Sequence, residues 1–250
     1  PAPALAQEPK AGGSVRFACQ IQEITDPALY NWIEASDLSL NSVEYLTYTD
    51  ADNITHPYLA ESWLPSDDLK VWTFKLVPGI KWSNGDAFGA DDVIFNINRW
   101  MDPNSKSSNR SALEALEKVE KVSDTEIKLT LKRPVLQIPE IFYLYTMGIV
   151  HRDFDKNGAN WPKAPIGTGP FEMTEYAVGK IARFKKRDGY WGKPAYLDEI
   201  VYIDMGTDVA AQVAALASNQ VDILYRINMT ELDLVERLPN AKVLKEQSAK

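Results

Sequence analysis

Residues 60–93 read AESWLPSDDLKVWTFKLVPGIKWSNGDAFGADDV. Trp72, Phe74 and Leu76 alternate with Val71, Thr73 and Lys75, the period of a half-buried strand. Pro78-Gly79 marks one turn and Asn84-Gly85 a second, because these dipeptides supply the backbone angles that tight turns need. Ile80-Lys81-Trp82, between the turns, is expected to pair with that strand or with a neighbour. A helix is predicted from Ala90 to about Trp100, with Val93, Ile97 and Trp100 on one face. Gly89 would be its cap, and Asp91 and Asp92 complement the positive end of the helix dipole. The stretch builds architecture rather than chemistry.

Working outward toward the N-terminus, Ser14 to Ile21 alternates as a strand and ends in the turn signal Asp26-Pro27. Cys19 falls on the face of Val15, Phe17 and Ile21 and reads as a buried small hydrophobe. Ala28 to Leu46 reads as a helix, and Tyr45 to Tyr48 as the start of the next strand. Toward the C-terminus, polar Ser105 to Arg110 reads as a loop and Ser111 to Val119 as a helix. Ile127, Leu129 and Leu131 line one face of a strand, and Pro139 to Thr146 is a short helix. Phe171 to Tyr176 and Ile181 to Lys186 form a hairpin closed by Val178-Gly179-Lys180. A strand from Glu199 to Met205, a helix from Asp208 to Ala217, a strand from Val221 to Tyr225 and a helix from Thr230 to Leu238 suggest βαβ-like packing. The fold class is therefore α/β, a mixed α+β arrangement. Residues 157–170 are rich in Gly and Pro and make the best boundary. This places a discontinuous first lobe at 13–47 and 166–250, an inserted α+β subdomain at 48–165, and a disordered leader at 1–12.

The 250 residues carry 35 acidic and 27 basic side chains, a formal charge of −8. Binding to nucleic acid is not expected, because it needs clustered cations. The basic run Arg183, Lys185, Lys186 and Arg187 reads as a solvated face. One cysteine allows no internal disulfide, and two separated histidines, His56 and His151, make no metal-ligand spacing. No metal and no cofactor are expected. No stretch has the roughly 20 apolar residues of a membrane span. Ala4-Leu5-Ala6 fits the small-x-small rule for signal-peptidase cleavage, and no cysteine near it could carry a lipid anchor. A periplasmic protein is the resulting expectation. No Ser elbow or His-based triad spacing is present, and Asp67-Asp68 and Asp91-Asp92 suit solvation and capping better than acid–base work, so no catalytic residue is assigned.

Six blocks carry a family resemblance, in order along the chain: Gly13 to Pro27; Pro57-Tyr58-Leu59-Ala60-Glu61-Ser62-Trp63; the strand-and-turn run from Trp72 through Val93; Pro165-Ile166-Gly167-Thr168-Gly169-Pro170-Phe171; Arg187-Asp188-Gly189-Tyr190-Trp191; and Asn219-Gln220-Val221-Asp222-Ile223. Together they resemble the solute-binding proteins of peptide/nickel-type ABC importers, the bacterial extracellular solute-binding family 5. Gly89 stands where that family usually has Thr or Ser, and Asn84 where it has Asp. The resemblance implies a type II periplasmic-binding-protein fold, of which this chain is similar to the first half; the second lobe is absent from it. Most motif residues, including Trp63, Trp72, Trp82 and Trp191, read as core or interface packing, and the glycines of 167–170 as setting a backbone turn.

Ligand contacts implied by the resemblance are Tyr30, Trp32 and Ser36 after the opening strand, Tyr145 and Met147 after the short helix, and Tyr225 and Arg226 past the Val221 strand. Tyr offers a flat face and one hydroxyl, and Arg226 could grip a carboxylate bidentately. The implied function is extracytoplasmic capture of a small ligand, most often a peptide, and its delivery to the membrane permease subunits by a full-length monomer. An opine, oligosaccharide or chelated metal is the alternative ligand. A secreted hydrolase and a sensory or chaperone-like relative are the alternatives of a different class.

Overall fold

The structure is a computed structural model that describes residues 10–244 except 225, 226 and 228. In chain order the first elements are β1 (Ser14–Cys19), α1 (Ile33–Ser39), β2 (Thr47–Thr49), β3 (Thr55–Pro57), β4 (Ala60–Pro65), β5 (Val71–Leu76) and α2 (Ala90–Met101). There follow α3 (Asn109–Ala112), β6 (Leu116–Ser123), β7 (Glu126–Leu131), α4 (Ile138–Ile141), β8 (Phe171–Ala177) and β9 (Ile181–Lys186). The last are β10 (Glu199–Asp204), α5 (Val209–Ala217), β11 (Ile223–Leu224) and α6 (Met229–Glu236). The described residues fall into two compact units, one of residues 10–22, 173–188 and 192–244, the other of residues 23–172 and 189–191.

The first unit holds a five-stranded mixed sheet in the order β11-β1-β10-β9-β8. β1 comes from the start of the chain, yet it lies parallel to both β10 and β11 from near its end. The sheet is thus assembled from both ends of the polypeptide. α5 is the crossover between β10 and β11, and its Ala215 packs with Ala18 and Val221. Asp208 caps α5 by accepting the N–H groups of Ala210 and Ala211 at 2.9 and 3.4 Å. The expected hairpin β8–β9 is present, with Gly179 at φ +68° in its turn.

Two readings on this sheet need correction. Ala18, not Cys19, points into the α5 core; Cys19 is half-buried. Both faces of a central strand are covered, so alternation alone did not single out the packed one. Burial, with the charge of nearby Asp204 added, pushes the Cys19 thiol up to about 12, which makes it a poor nucleophile. The basic run is only partly a solvated face. Arg183 pairs with Glu175 and Glu199 at 3.0 and 3.3 Å, and Arg187 is buried.

The second unit is built on a four-stranded antiparallel sheet, β4-β5-β7-β6. Trp72, Phe74 and Leu76 of β5 and Ile127, Leu129 and Leu131 of β7 make one apolar face, and Val93, Ile97 and Trp100 of α2 are buried against it in the same core. After β5 the chain turns at Asn84-Gly85: Gly85 N–H donates to the Trp82 carbonyl at 2.9 Å, and Lys81 bridges to Ala87. Gly89 precedes α2 in extended backbone that any residue could adopt. Its missing side chain has another cause, since a Cβ there would lie 2.6 Å from the Asp124 carbonyl oxygen. Gly89 is the N-cap residue as expected, and Asp92 closes the cap, its carboxylate accepting the Gly89 N–H at 2.9 Å.

Two expected helices are shorter than the sequence suggested. Residues 28–46 hold a 3₁₀ turn over Pro27–Leu29 and the seven-residue α1; residues 43–46 are extended and buried. Residues 111–119 hold the end of the one-turn α3 and the first half of β6, because pairing with β7 wins over local propensity. The unit edges also fall outside the expected 48–165. Ala28, Tyr45 and Leu46 share a core with Trp72 and Phe74, and Asn41 and Ser42 accept hydrogen bonds from Phe171 and Gly169 at 3.0 and 2.8 Å. Residues 23–47 and 166–172 therefore pack with this unit.

Candidate functional site

In the second unit, three chain segments meet around residues 43–47. The first begins at Asp26. Its carboxylate accepts the Ala28 N–H at 2.9 Å and starts the 3₁₀ turn, while its other oxygen pairs with Arg99 of α2. The Arg99 guanidinium lies over the Phe154 ring at 4.9 Å, so this buried ion pair is enclosed by aromatic walls. Tyr30 ends the turn and is buried; Trp32 precedes α1 and is half-buried; Ser36 is buried, its hydroxyl donating to the Ile33 carbonyl at 2.7 Å. Leu29 and Ile33, four residues apart, are exposed.

The second segment, 43–46, is an unbroken buried run. Three of its carbonyls are paired across the chain: Leu59 and Ala60 donate to the carbonyls of Tyr45 and Leu46, and Ile149 donates to that of Glu44 at 2.9 Å. The Glu44 carboxylate is wholly buried and accepts from Tyr58 at 2.8 Å, Tyr190 at 2.6 Å and the Trp191 indole at 2.9 Å. Burial first, and then the Glu44 charge, push the Tyr58 hydroxyl pKa up. Two blocks of the family pattern, those of Tyr58 and of Tyr190-Trp191, thereby share one acceptor.

The third segment is 143–149. Tyr143 meets Tyr45 edge-to-face at 5.5 Å, and the Tyr45 hydroxyl donates to the Tyr145 carbonyl at 3.0 Å. Burial, with Tyr143 and Asp37 adding to it, raises the Tyr45 pKa, so that hydroxyl stays a donor. Gly148 closes the junction. A Cβ there would lie 2.7 Å from Val43 and 3.8 Å from the Pro27 ring, so Gly148 sits against both the start of the 27–30 turn and the 43–46 run. The loop read only as polar, 105–110, joins them through Asn109, whose side chain is hydrogen-bonded to Thr146.

The structure therefore brings the neighbourhood of Tyr30 together with that of Tyr145. Of the residues expected to touch a ligand, Tyr145 (37% exposed) and Trp32 have free surface in this unit, whereas Tyr30, Ser36 and Met147 are buried, Met147 completely. The side chains of those three lie inward in this unit, Met147 within the buried run 146–151. Tyr225 and Arg226 lie outside the described residues. Sequence reasoning missed Glu44, Tyr45 and Asn109; a carboxylate within an apolar run at 43–46 was the available signal for the first. The glycines of 167–170 were read as turn formers, but no positive φ occurs at Gly167 or Gly169. They are there for close approach, as a Cβ would lie 2.1 or 2.8 Å from the Ser42 carbonyl oxygen.

Among the described residues neither His56 nor His151 hydrogen-bonds a Ser or Cys; their carboxylate neighbours are Asp50 at 2.6 Å and Asp86 at 3.1 Å.

Residues 55–250 match the family described as bacterial extracellular solute-binding proteins, family 5 Middle. The nickel-binding periplasmic protein of Escherichia coli (strain K12) is 30% identical over 188 residues, which is 73% of this chain and 35% of that protein. The oligopeptide-binding protein AppA of Bacillus subtilis (strain 168) is 28% identical over 252 residues, 96% of this chain and 45% of that one. Among solved structures, the ABC transporter-associated periplasmic binding protein DppA from Helicobacter pylori, in complex with peptide STSA, matches with a TM-score of 0.84 at 25% identity, over 92% of this chain and 50% of that chain. The PBP AgaA from A. tumefaciens R10, in complex with agropinic acid, gives 0.84 at 29% identity, over 91% and 46%. The chain spans half or less of the length of each of these relatives.

Proposed function

This chain belongs to the bacterial extracellular solute-binding proteins of family 5, and from that premise we propose that it is part of the solute-capturing component of an ABC importer, with a short peptide as its ligand. The observation that carries the reading is the fold match to the peptide-bound H. pylori protein, supported by the name of the B. subtilis relative. The capture is periplasmic, and the protein's macromolecular partner is the membrane permease. The role is binding without turnover.

The two-lobed architecture supplies the mechanism. A ligand held between lobes shifts the open–closed equilibrium by its differential affinity for the closed form, and the permease engages that form. Tyr145 and Trp32 offer flat rings that accept varied peptide side chains, while Tyr30, Ser36 and Met147 hold those segments from beneath. Tyr225 and Arg226 remain proposed ligand contacts.

The test is native mass spectrometry and calorimetry on the full-length protein with peptides of two to nine residues, an opine and a chelated metal. Peptide binding with no peptide hydrolysis is the expected result. Exclusive binding of the opine or the chelate would replace the ligand assignment, and hydrolysis of any substrate would overturn the role.

A further inference from the structure

We propose that Asn109, Thr146 and the hydroxyl of Tyr45 are positioning residues that hold the Tyr145 ring in place as a ligand contact; this rests on the solute-binding reading above. Tyr145 and its neighbour Leu144 expose their side chains, yet the backbone beneath them is held by hydrogen bonds at successive carbonyls. The Tyr145 carbonyl accepts the Tyr45 hydroxyl at 3.0 Å. The Thr146 carbonyl accepts the Asn109 amide at 2.8 Å, and the Thr146 hydroxyl donates back to the Asn109 side-chain oxygen. Met147 N–H then donates to the Leu144 carbonyl at 2.7 Å, closing a tight turn whose far side is the core.

Asn109 is itself immobilised. Its N–H donates to the Ser107 hydroxyl at 3.2 Å and its carbonyl accepts from Leu113 at 2.9 Å. Asn109 and Thr146 are both almost completely buried. A buried amide carries a desolvation penalty that an aliphatic residue would avoid, and hydrogen bonds to a segment 37 positions away recover it only in one geometry. Packing alone does not call for that pair. A binding ring whose backbone is set beforehand does, because ordering it at the moment of binding would subtract from affinity.

The experiment uses the full-length protein and a random-sequence tetrapeptide mixture, with dissociation constants from calorimetry and melting temperatures measured alongside. Tyr145→Ala is expected to weaken binding about tenfold or more, the loss of one stacking contact and its ordered surface. Asn109→Ala, Thr146→Val and Tyr45→Phe are each expected to weaken it roughly three- to tenfold, the scale of one hydrogen bond. None of them should add to the loss already present in a Tyr145→Ala background. Thr146→Ser, which keeps the hydroxyl, should restore affinity relative to Thr146→Val. Tyr45→Phe keeps the ring and is the variant least open to misfolding. If Tyr145→Ala weakens binding while the other three lower only the melting temperature, or if their losses persist undiminished without Tyr145, the positioning role is overturned. If Tyr145→Ala changes nothing, the proposal falls while solute binding stands; if the wild type takes up no tetrapeptide, the peptide reading falls with it.

Discussion

Gly167 and Gly169 meet the Ser42 carbonyl oxygen so closely that an added Cβ would lie 2.1 and 2.8 Å from it. Retreat is blocked on both sides, because Gly169 N–H donates to that oxygen at 2.8 Å and Ser83 N–H donates to the Gly167 carbonyl at 2.9 Å. Gly167→Ala is therefore expected to lose about 3 kcal/mol or more, combining overpacking with broken hydrogen bonds. Gly179→Ala, at φ +68° with open space around it, should lose only about 1 kcal/mol. Urea midpoints of the two variants decide the matter; equal losses would mean that the Gly167 contact is soft. Glu44 makes the converse case, where a charge rather than an absence is required. Three neutral donors converge on its two oxygens. Glu44→Gln replaces one acceptor by a donor that faces a donor. We expect a loss of about 2–3 kcal/mol, the penalty for a buried polar group left unmatched, read as a lowered urea midpoint. Tyr58→Phe, which removes one donor and leaves two, should lose no more than about 1 kcal/mol.

At the scale of elements, the short edge strand β11 is fastened to β1 by more than its ladder. Asp222 accepts the Arg16 backbone N–H at 2.8 Å and its guanidinium at 2.9 and 2.8 Å. The Arg16 hydrogen bond is the largest influence holding the Asp222 carboxyl below its ordinary range. The folded state therefore takes up this proton less readily than the unfolded chain. Its stabilisation is fully present above the ordinary Asp value of about 3.9 and is lost as pH falls through the lower folded value. Both side chains are more than a third exposed, so screening limits the effect to about 0.5–1 kcal/mol. Wild type and Asp222→Asn should differ by that amount in urea melts at pH 7 and converge as pH falls through the lowered folded value of Asp222; a gap that stays constant would assign it to packing instead. Elements such as the β8–β9 hairpin, β5, α2 and α5 were legible because each has one apolar face, a turn dipeptide or a cap of its own. Residues 28–46 were not. Their apolar spacing suits a helix, yet the end of the run is buried on all sides and takes its hydrogen bonds from residues 59, 60 and 149. Residues 116–119 likewise became strand through pairing with β7, which no local pattern announces. The candidate site was legible only as segments. Tyr30 and Tyr145 flank one junction, but which side chains point outward depends on Gly148, Tyr45 and Asn109, whose contacts span 37 to 121 positions.

The whole molecule poses the question of what 250 residues can do when relatives of the same family are about twice as long. In the reading proposed above, a ligand between two lobes divides its contacts among them. The exposed surface of Tyr145 and Trp32 then supplies one part of the binding surface, and the rest of the full-length protein supplies another. The translational and rotational freedom lost on binding is the same whether one part or both are present, so removing half of the contacts removes far more than half of the net affinity. Closure also disappears, and with it the differential affinity that traps the solute. A 250-residue chain prepared alone is thus expected to bind tetrapeptides at least about 100-fold more weakly than the full-length protein, a difference of roughly 2.7 kcal/mol at equal ligand concentration. It should also gain no measurable melting temperature from a ligand concentration that stabilises the full-length protein by about that amount. Calorimetry on both chains with the same peptide mixture gives the comparison. Equal affinity would mean that this chain holds a complete site, and the two-lobed capture mechanism would have to be abandoned for it.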